Sequence, residues 1–106
     1  MSAKRYLFIP ALFALMVGAG SARAETIKVT IEKFAFSPAE IAAKVGDTIE
    51  WINKDAMAHT ATVKDSWEVM IPAKQTVSQV LETAEAVDYF CRFHPSMKGK
   101  LAVTAP

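Results

Sequence analysis

The residues from Cys91 to Met97 bring a thiol, an imidazole and a thioether within seven positions of one another, in the order Cys-x2-His-x2-Met. Cys91 is the only cysteine of the 106-residue chain, so it has no partner for an internal disulfide. Thiolate and thioether sulfur favour copper, and imidazole suits copper as well. One thiolate, two imidazoles and a long axial thioether are the ligands of electron-transfer copper sites. The spacing of Cys91, His94 and Met97 therefore predicts three of the four ligands of such a site.

The missing imidazole has one source. The chain contains two histidines, and since His94 belongs to the loop, the second imidazole must be that of His59. Each of these residues has an ordinary explanation when it is taken singly: a lone cysteine, for example, is usually a small buried hydrophobic residue. All the cysteine and histidine residues of the chain fall in this one proposed site, however, and that favours the interpretation as metal ligands.

The first 24 residues have the composition of a secretory signal peptide. Two basic residues precede an apolar run over residues 7–17, and Ala22 and Ala24 stand in the A-x-A relation of a cleavage site. The apolar run is well short of the ~20 residues that a membrane span requires. We therefore expect residues 1–24 to be cleaved and residues 25–106 to form one domain that is exported to the periplasm.

The net charge and the length of the chain bear on what it binds and on how its fold is stabilised. The whole chain has a formal net charge of +1, and without the leader nine basic residues face eleven acidic ones, which argues against a nucleic-acid-binding surface. A domain of this length is small for a single hydrophobic core and commonly needs a disulfide, a metal or association. With one cysteine in an oxidising compartment, a bound metal would both protect the thiol and add folding free energy.

Alternation of apolar and polar residues predicts about seven to eight short strands. No amphipathic helix or internal repeat is visible, so the sequence predicts an all-β sandwich. We expect Phe34 and Phe36 to continue the inner face of the first strand, Gly99 to make a turn, and residues 82–86 to form a loop or a single helical turn. Residues 64–74 show no clean alternation. The predicted strands are 27–32, 41–45, 48–53, 60–63, 76–81, 87–91 and 100–104.

Two of these strands bear on the candidate ligands. In the strand 48–53, Ile49 and Trp51 share a face with Asn53, and a buried amide must find partners. We expect Asn53 to tie its strand to the segment that follows, which carries the first histidine. The strand that ends at Cys91 also alternates, so its thiol points along an inward face.

These residues resemble the cupredoxin family of type 1 blue copper proteins, and the similarity extends over nearly all of residues 25–106. The resemblance implies a Greek-key β-sandwich with one mononuclear type 1 copper ion at one end. It also implies that His59, Cys91 and His94 are the equatorial ligands and Met97 the axial one. The matching motifs are Val45–Asn53, Ala56–His59 and Asp88–Lys100.

The resemblance implies a function as well. The chain would be a small periplasmic electron carrier, monomeric and without enzymatic activity, whose redox partners are proteins of the dehydrogenase or cytochrome type. His59 would lie deeper than His94, and His94 would serve as the electron exit at an apolar surface patch. The candidate members of that patch are Met57, Ala58 and Pro95.

Two positions depart from the family's pattern. Thr60 stands where asparagine is common, so a hydrogen bond that links the two ligand loops is either lost or made by a hydroxyl group. Phe93 stands between two proposed ligands, where the most similar members carry a proline.

Two other functions remain open at this point. A copper carrier or storage protein without a redox partner would use similar soft ligands, and a structural zinc domain would use cysteine and histidine. Zinc has little use for a thioether, so Met97 weighs against the second. An enzyme is disfavoured because four protein ligands leave no open position for a substrate. Haem attachment is excluded because the Cys-x-x-Cys-His motif is absent.

Overall fold

The computed structural model describes residues 23–106, which form nine β-strands. The predicted leader, residues 1–24, lies almost wholly outside the described residues and stays a prediction. Residues 23–106 contain no helix of the length and hydropathy that a membrane crossing requires. The strands are β1 (Thr26–Glu32), β2 (Ala35–Ser37), β3 (Glu40–Lys44), β4 (Thr48–Asn53), β5 (His59–Val63), β6 (Trp67–Ile71), β7 (Thr76–Val80), β8 (Glu85–Phe90) and β9 (Lys98–Thr104).

The strands form two mixed sheets, one with the order β2-β1-β4-β7 and the other with the order β3-β9-β8-β5-β6. The pairs β1–β4 and β3–β9 are parallel, and the remaining pairs are antiparallel. Most neighbours within a sheet are not consecutive in the chain, so the connections cross between the sheets. The predicted all-β sandwich is therefore confirmed.

The core between the sheets is centred on three aromatic rings. Phe36 and Trp51 of the first sheet meet Tyr89 of the second edge to face, with ring centroids 4.9 and 5.4 Å from that of Tyr89, and they lie 5.9 Å from each other. The indole N–H of Trp51 donates to the side chain of Gln79 at 3.0 Å, which explains a polar residue on the inner face of β7. Burial raises the pKa of Tyr89 far above its ordinary value, so its hydroxyl stays protonated and donates to the Ala39 carbonyl.

The structure corrects the expectation for Phe34. Lys33 and Phe34 both have positive φ, at 54° and 61°, and they reverse the chain into β2. Because positive φ at two successive residues closes a tight hairpin, Phe34 leaves the inner face and is 43% exposed, whereas Phe36 returns to the core.

Three other segments differ in detail from the sequence interpretation. The segment without clean alternation contains β6, an edge strand that pairs with β5. Glu85 begins β8, so residues 82–84 are a loop. Gly99 does not make a turn but lies within β9 opposite Tyr89. A side chain at position 99 would collide with the Tyr89 ring and with the carbonyl of Ala39, which explains why glycine stands there.

Asp47 fastens the end of β4 that lies away from the candidate ligands. Its carboxylate accepts hydrogen bonds from the backbone N–H groups of Glu25 and Lys44, each at 2.9 Å. These hydrogen bonds lower the pKa of Asp47 in the folded state. A folded-state pKa below that of the unfolded chain stabilises the fold above the unfolded value, about 4, and this stabilisation is lost as the pH falls through the folded value.

We expect Asp47→Asn to weaken the metal-free protein at pH 7 and to flatten its dependence on pH, because the amide cannot accept both hydrogen bonds and does not titrate. Chemical denaturation at pH 7 and at pH 3 measures both effects. Asp88→Asn is the control, since Asp88 is 81% exposed and pairs only with an exposed lysine. An equal loss of stability between the two pH values in wild type and Asp47→Asn would contradict this account.

Candidate metal centre

Three predicted ligands meet at one end of the sandwich. The Sγ atom of Cys91 lies 3.7 Å from Nδ1 of His59 and 3.8 Å from Nδ1 of His94, and the three donor atoms lie within 4.8 Å of one another. Sulfur and nitrogen ligands bind a first-row metal at about 2.3 and 2.0 Å, so two such ligands 120° apart are separated by about 3.7 Å. The spacing of the donor atoms, together with their softness, fits a type 1 copper ion.

His59 begins β5 and is fully buried. Its Nε2–H group donates to Oδ2 of Asp55 at 2.9 Å, which leaves the lone pair of Nδ1 directed towards Cys91. A carboxylate behind a histidine ligand fixes the tautomer and the ring orientation and raises the basicity of the ligand. The sequence interpretation missed Asp55, although a carboxylate four residues before a predicted histidine ligand was an available signal.

Asp55 also anchors the β1–β2 hairpin beside the site. Its two carboxylate oxygens accept the backbone N–H groups of Lys33 at 2.7 Å and Phe34 at 3.0 Å. Burial raises the pKa of Asp55, but the hydrogen bonds from Phe34, His59 and Lys33 outweigh this effect and leave the pKa below its ordinary value. The carboxylate is therefore ionised at neutral pH, and it joins a turn of the first sheet to a candidate ligand of the second.

Asn53 holds the loop that carries the first histidine, as the sequence predicted. Its side-chain NH₂ group lies 2.9 Å from the carbonyl of Met57, 3.1 Å from that of Pro72 and 3.2 Å from that of Ile71. Its side-chain oxygen accepts the backbone N–H of Asp55 at 2.9 Å. One buried amide thus joins the end of β4, the histidine loop and the end of β6.

The loop between β8 and β9 is closed by its own backbone. The N–H of Cys91 donates to the carbonyl of Met97 at 3.0 Å, that of His94 to Cys91 at 3.2 Å, and that of Met97 to His94 at 2.9 Å. Cys91 is fully buried, and Met97 is 3% exposed within the core. The two hydrogen bonds that involve His94 make two successive turns, and the one between Cys91 and Met97 joins the two ends of the loop. The loop therefore holds its shape with a phenylalanine at position 93.

The two ligand segments are linked through Thr60, and the link is made by its hydroxyl group. The backbone N–H of Arg92 donates to Oγ1 of Thr60 at 2.8 Å. The backbone N–H of Thr60 in turn donates to Sγ of Cys91 at 3.4 Å. The sequence left open whether the hydrogen bond between the two ligand segments is lost or made by a hydroxyl group, and in the structure the hydroxyl of Thr60 makes it.

His94 is the more accessible of the two histidines, as expected. It is partly exposed, and the ring of Phe34 stands edge-on to it, with centroids 4.5 Å apart. The same Phe34 ring contacts His59 at 5.2 Å. The hairpin that took Phe34 out of the core has therefore placed it over the candidate site, where no sequence signal predicted it.

Exposed apolar side chains surround this end of the molecule. Phe34, Met57 and Phe93 are 43%, 47% and 44% exposed. Of the predicted patch members, Met57 and Pro95 are exposed and Ala58 is partly exposed. The guanidinium group of Arg92 lies 4.8 Å from the centroid of the Phe93 ring. The partly exposed histidine thus lies among apolar side chains whose outward faces are accessible.

The fold and this donor set define a cupredoxin. Residues 5–103 match the cupredoxin-like domain family, and the chain belongs to it. Its relatives are amicyanins: it is 32% identical over 94 residues to the amicyanin of Paracoccus versutus, a match that covers 82% of this chain and 71% of the relative.

Solved amicyanin structures share the fold. The reduced state of an amicyanin variant in which phenylalanine replaces a proline is 35% identical, with a TM-score of 0.64 and coverage of 80% of this chain and 87% of that one. The reduced Cu(I) form at pH 4 of a variant in which glycine replaces a proline is 34% identical, with a TM-score of 0.66 and coverage of 80% and 87%.

Proposed function

We propose that this chain is a small periplasmic electron carrier that uses one mononuclear type 1 copper ion. The observation that carries the proposal is the meeting of a thiol and two imidazole nitrogens, each Sγ–Nδ1 pair at 3.7–3.8 Å, beneath an apolar surface. A bound copper ion would supply a one-electron Cu(I)/Cu(II) couple. Amicyanins solved in reduced Cu(I) forms support the same metal for this chain.

In this proposal His59, Cys91 and His94 are the equatorial ligands and Met97 is the axial ligand. The two histidines would bind through Nδ1 and the cysteine through its thiolate. The assignment of the Met97 thioether as the axial ligand is supported by the position of Met97 in the same closed loop and by its burial. Residues 25–106 would be the mature domain, and residues 1–24 the leader that directs export.

The surrounding residues keep the ligands in place during electron transfer. A carrier works best when its ligands need little movement between the two oxidation states, and rigid supporting residues provide that constraint. Asp55 holds the ring of His59 from behind, and Asn53 fixes the loop on which it lies. The closed turns between Cys91 and Met97 fix the other ligands.

Electrons would enter and leave through His94. Its ring is partly exposed and in contact with Phe34, and exposed Met57 and Phe93 lie at the same end of the molecule. A mostly apolar contact surface costs little desolvation when a partner docks and when it leaves. We expect protein partners of the dehydrogenase or cytochrome type and a monomeric carrier.

Electron self-exchange distinguishes this function from copper carriage or storage. In a mixture of the Cu(I) and Cu(II) proteins, we expect NMR line broadening of the Cu(I) resonances that grows with the fraction of Cu(II) protein, because a rigid site at an apolar surface exchanges electrons rapidly. His94 resonances should be affected first. A copper-loaded protein whose Cu(I) resonances show no exchange broadening at any mixing ratio would favour storage or carriage instead.

A further inference from the structure

A chain of hydrogen bonds connects the ligand loop to a glutamate on β6. The backbone N–H of Arg92 donates to Oγ1 of Thr60, the hydroxyls of Thr60 and Thr62 lie 2.8 Å apart, and the hydroxyl of Thr62 donates to Oε1 of Glu68 at 2.8 Å. The guanidinium group of Arg92 returns to the same carboxylate, with Nε 2.8 Å from Oε1 and Nη2 2.9 Å from Oε2. The hydrogen bonds form a closed ring that begins and ends at Arg92.

The carboxylate determines the direction of every bond in this ring. Glu68 is ionised, because hydrogen bonds from Arg92 and then Thr62 lower its pKa, and an ionised carboxylate only accepts. Thr62 therefore donates its single proton to Glu68, so the hydroxyl of Thr60 must donate to Thr62. The oxygen of Thr60 is left to accept the N–H of Arg92. Hydrogen bonds aligned in one direction polarise and strengthen one another.

The contribution of the Arg92–Glu68 ion pair to folding stability does not explain why this ring is present. Arg92 and Glu68 are 51% and 33% exposed, and ion pairs of that exposure contribute little to stability. The distinctive feature of the ring is that two of its members lie directly beside the candidate ligand Cys91. It holds the amide next to Cys91, and it holds Thr60, whose own N–H contacts the cysteine sulfur at 3.4 Å.

We propose that Thr62, Glu68 and the side chain of Arg92 are positioning residues that hold the two ligand segments together and thereby maintain the hydrogen bond from Thr60 to the cysteine sulfur. The redox consequence rests on the proposed copper function. Hydrogen bonds around the cysteine sulfur tune the reduction potential of such sites. Loosening the ring weakens the bond to sulfur, makes the thiolate a stronger donor, favours Cu(II) and lowers the potential.

Thr62→Val tests the proposal, because it removes one hydroxyl and keeps the shape of the side chain. The substitution removes the hydrogen bonds from Thr60 to Thr62 and from Thr62 to Glu68, so the hydroxyl that accepts the Arg92 amide loses the partner that orients it. In the metal-free protein we expect hydrogen exchange at the Arg92 amide to accelerate up to about tenfold, the upper limit for an intramolecular hydrogen bond that is weakened or lost. In the copper protein we expect the ratio of Cu(I) to Cu(II) affinity to fall between twofold and tenfold, the tenfold limit being about 59 mV for one electron. Thr62→Ser, which keeps the hydroxyl, should restore both values.

Two matched controls distinguish loss of the ring from the general effect of removing a hydroxyl group or a charge. Thr104→Val removes a hydroxyl that donates to the Ala43 carbonyl at the end of β9, away from the site. Glu68→Gln is compared with Asp88→Asn, which removes a charge from the exposed ion pair between Asp88 and Lys100. We expect the potential to fall in Glu68→Gln and to stay at the wild-type value in both Thr104→Val and Asp88→Asn.

An unchanged exchange rate at Arg92 in Thr62→Val would overturn the proposal. Faster exchange with an unchanged potential would also overturn it, because the ring would then support the fold without acting on the sulfur. A Thr62→Ser protein that behaves like Thr62→Val would show that the hydroxyl is not the operative group. If wild type forms no blue copper site, the proposed function fails, while the exchange measurements on metal-free protein still test the ring by itself.

Discussion

Cys91→Ser is expected to abolish the intense visible absorption of the copper protein, because that absorption arises from charge transfer between a thiolate sulfur and Cu(II). Cys91 is fully buried, its Sγ atom lies 3.7 and 3.8 Å from the two histidine nitrogens, and it is the only cysteine of the chain, so no other thiolate can replace it. We also expect the Cu(II) affinity to fall by more than about 100-fold, since loss of an outer partner of a ligand alone costs about 10–100-fold.

Met97→Leu is the informative contrast to the cysteine substitution. The two side chains have similar volume, so the loop closed between Met97 and Cys91 should keep its shape. We expect the blue colour to persist and the potential to rise, by roughly 60 mV for a tenfold change in relative affinity, because the thioether donates weakly to Cu(II) and leucine does not. Absorption and voltammetry measure the two effects. An unchanged spectrum in Cys91→Ser, or a colourless Met97→Leu, would contradict the ligand assignment.

Asn53→Leu is expected to give the largest loss of stability. The leucine would leave the carbonyls of Met57, Ile71 and Pro72 and the N–H of Asp55 without their present partner. Each buried polar group that loses its partner costs about 1–3 kcal/mol. Three of these four contacts are only partly buried, so we expect a total near the lower end, about 4–5 kcal/mol. That is a large share of the stability of so small a domain, about 4–12 kcal/mol.

Chemical denaturation of the metal-free protein measures this loss without the stabilisation that a bound metal adds. Ile52→Val on the opposite face of β4 is the control, with an expected cost of about 1 kcal/mol or less. If Asn53→Leu is no less stable than Ile52→Val, the buried amide does not hold the histidine loop in the way described.

Sequence alone predicted the parts of this molecule that depend on local pattern. Alternation in β4 placed Trp51 on the inner face and identified Asn53 as a buried amide that needed partners. The spacing of Cys91, His94 and Met97 predicted a loop of candidate ligands because those residues are close in the chain, and the structure places Sγ of Cys91 3.8 Å from Nδ1 of His94. The strand period and the spacing of soft ligands are both local signals, which explains why the burial of Trp51 and Asn53 and the proximity of Cys91 to His94 could be predicted. Metal binding by the four residues stays a prediction.

The parts that sequence did not predict depend on contacts between distant segments. Arg92 and Glu68 meet only because β6 pairs with β5, which sets Thr62 opposite Glu68. Burial alternates along β6, but the exposed side chain of Met70 is apolar, so the sequence hides the alternation and the register with β5 was not visible. Phe34 reached the site through a hairpin whose two positive-φ residues are not the asparagine and glycine that usually mark such turns.

The most direct test of the central claim is the addition of one equivalent of Cu(II) to the proposed mature domain, residues 25–106, with visible absorption and electron paramagnetic resonance recorded together. We expect an intense blue colour and a small copper hyperfine splitting, both signs of a single thiolate bound with two imidazoles. Zn(II) added first should compete for the site but give no colour. A colourless protein, or one with the large hyperfine splitting of ordinary Cu(II) complexes, would contradict the account.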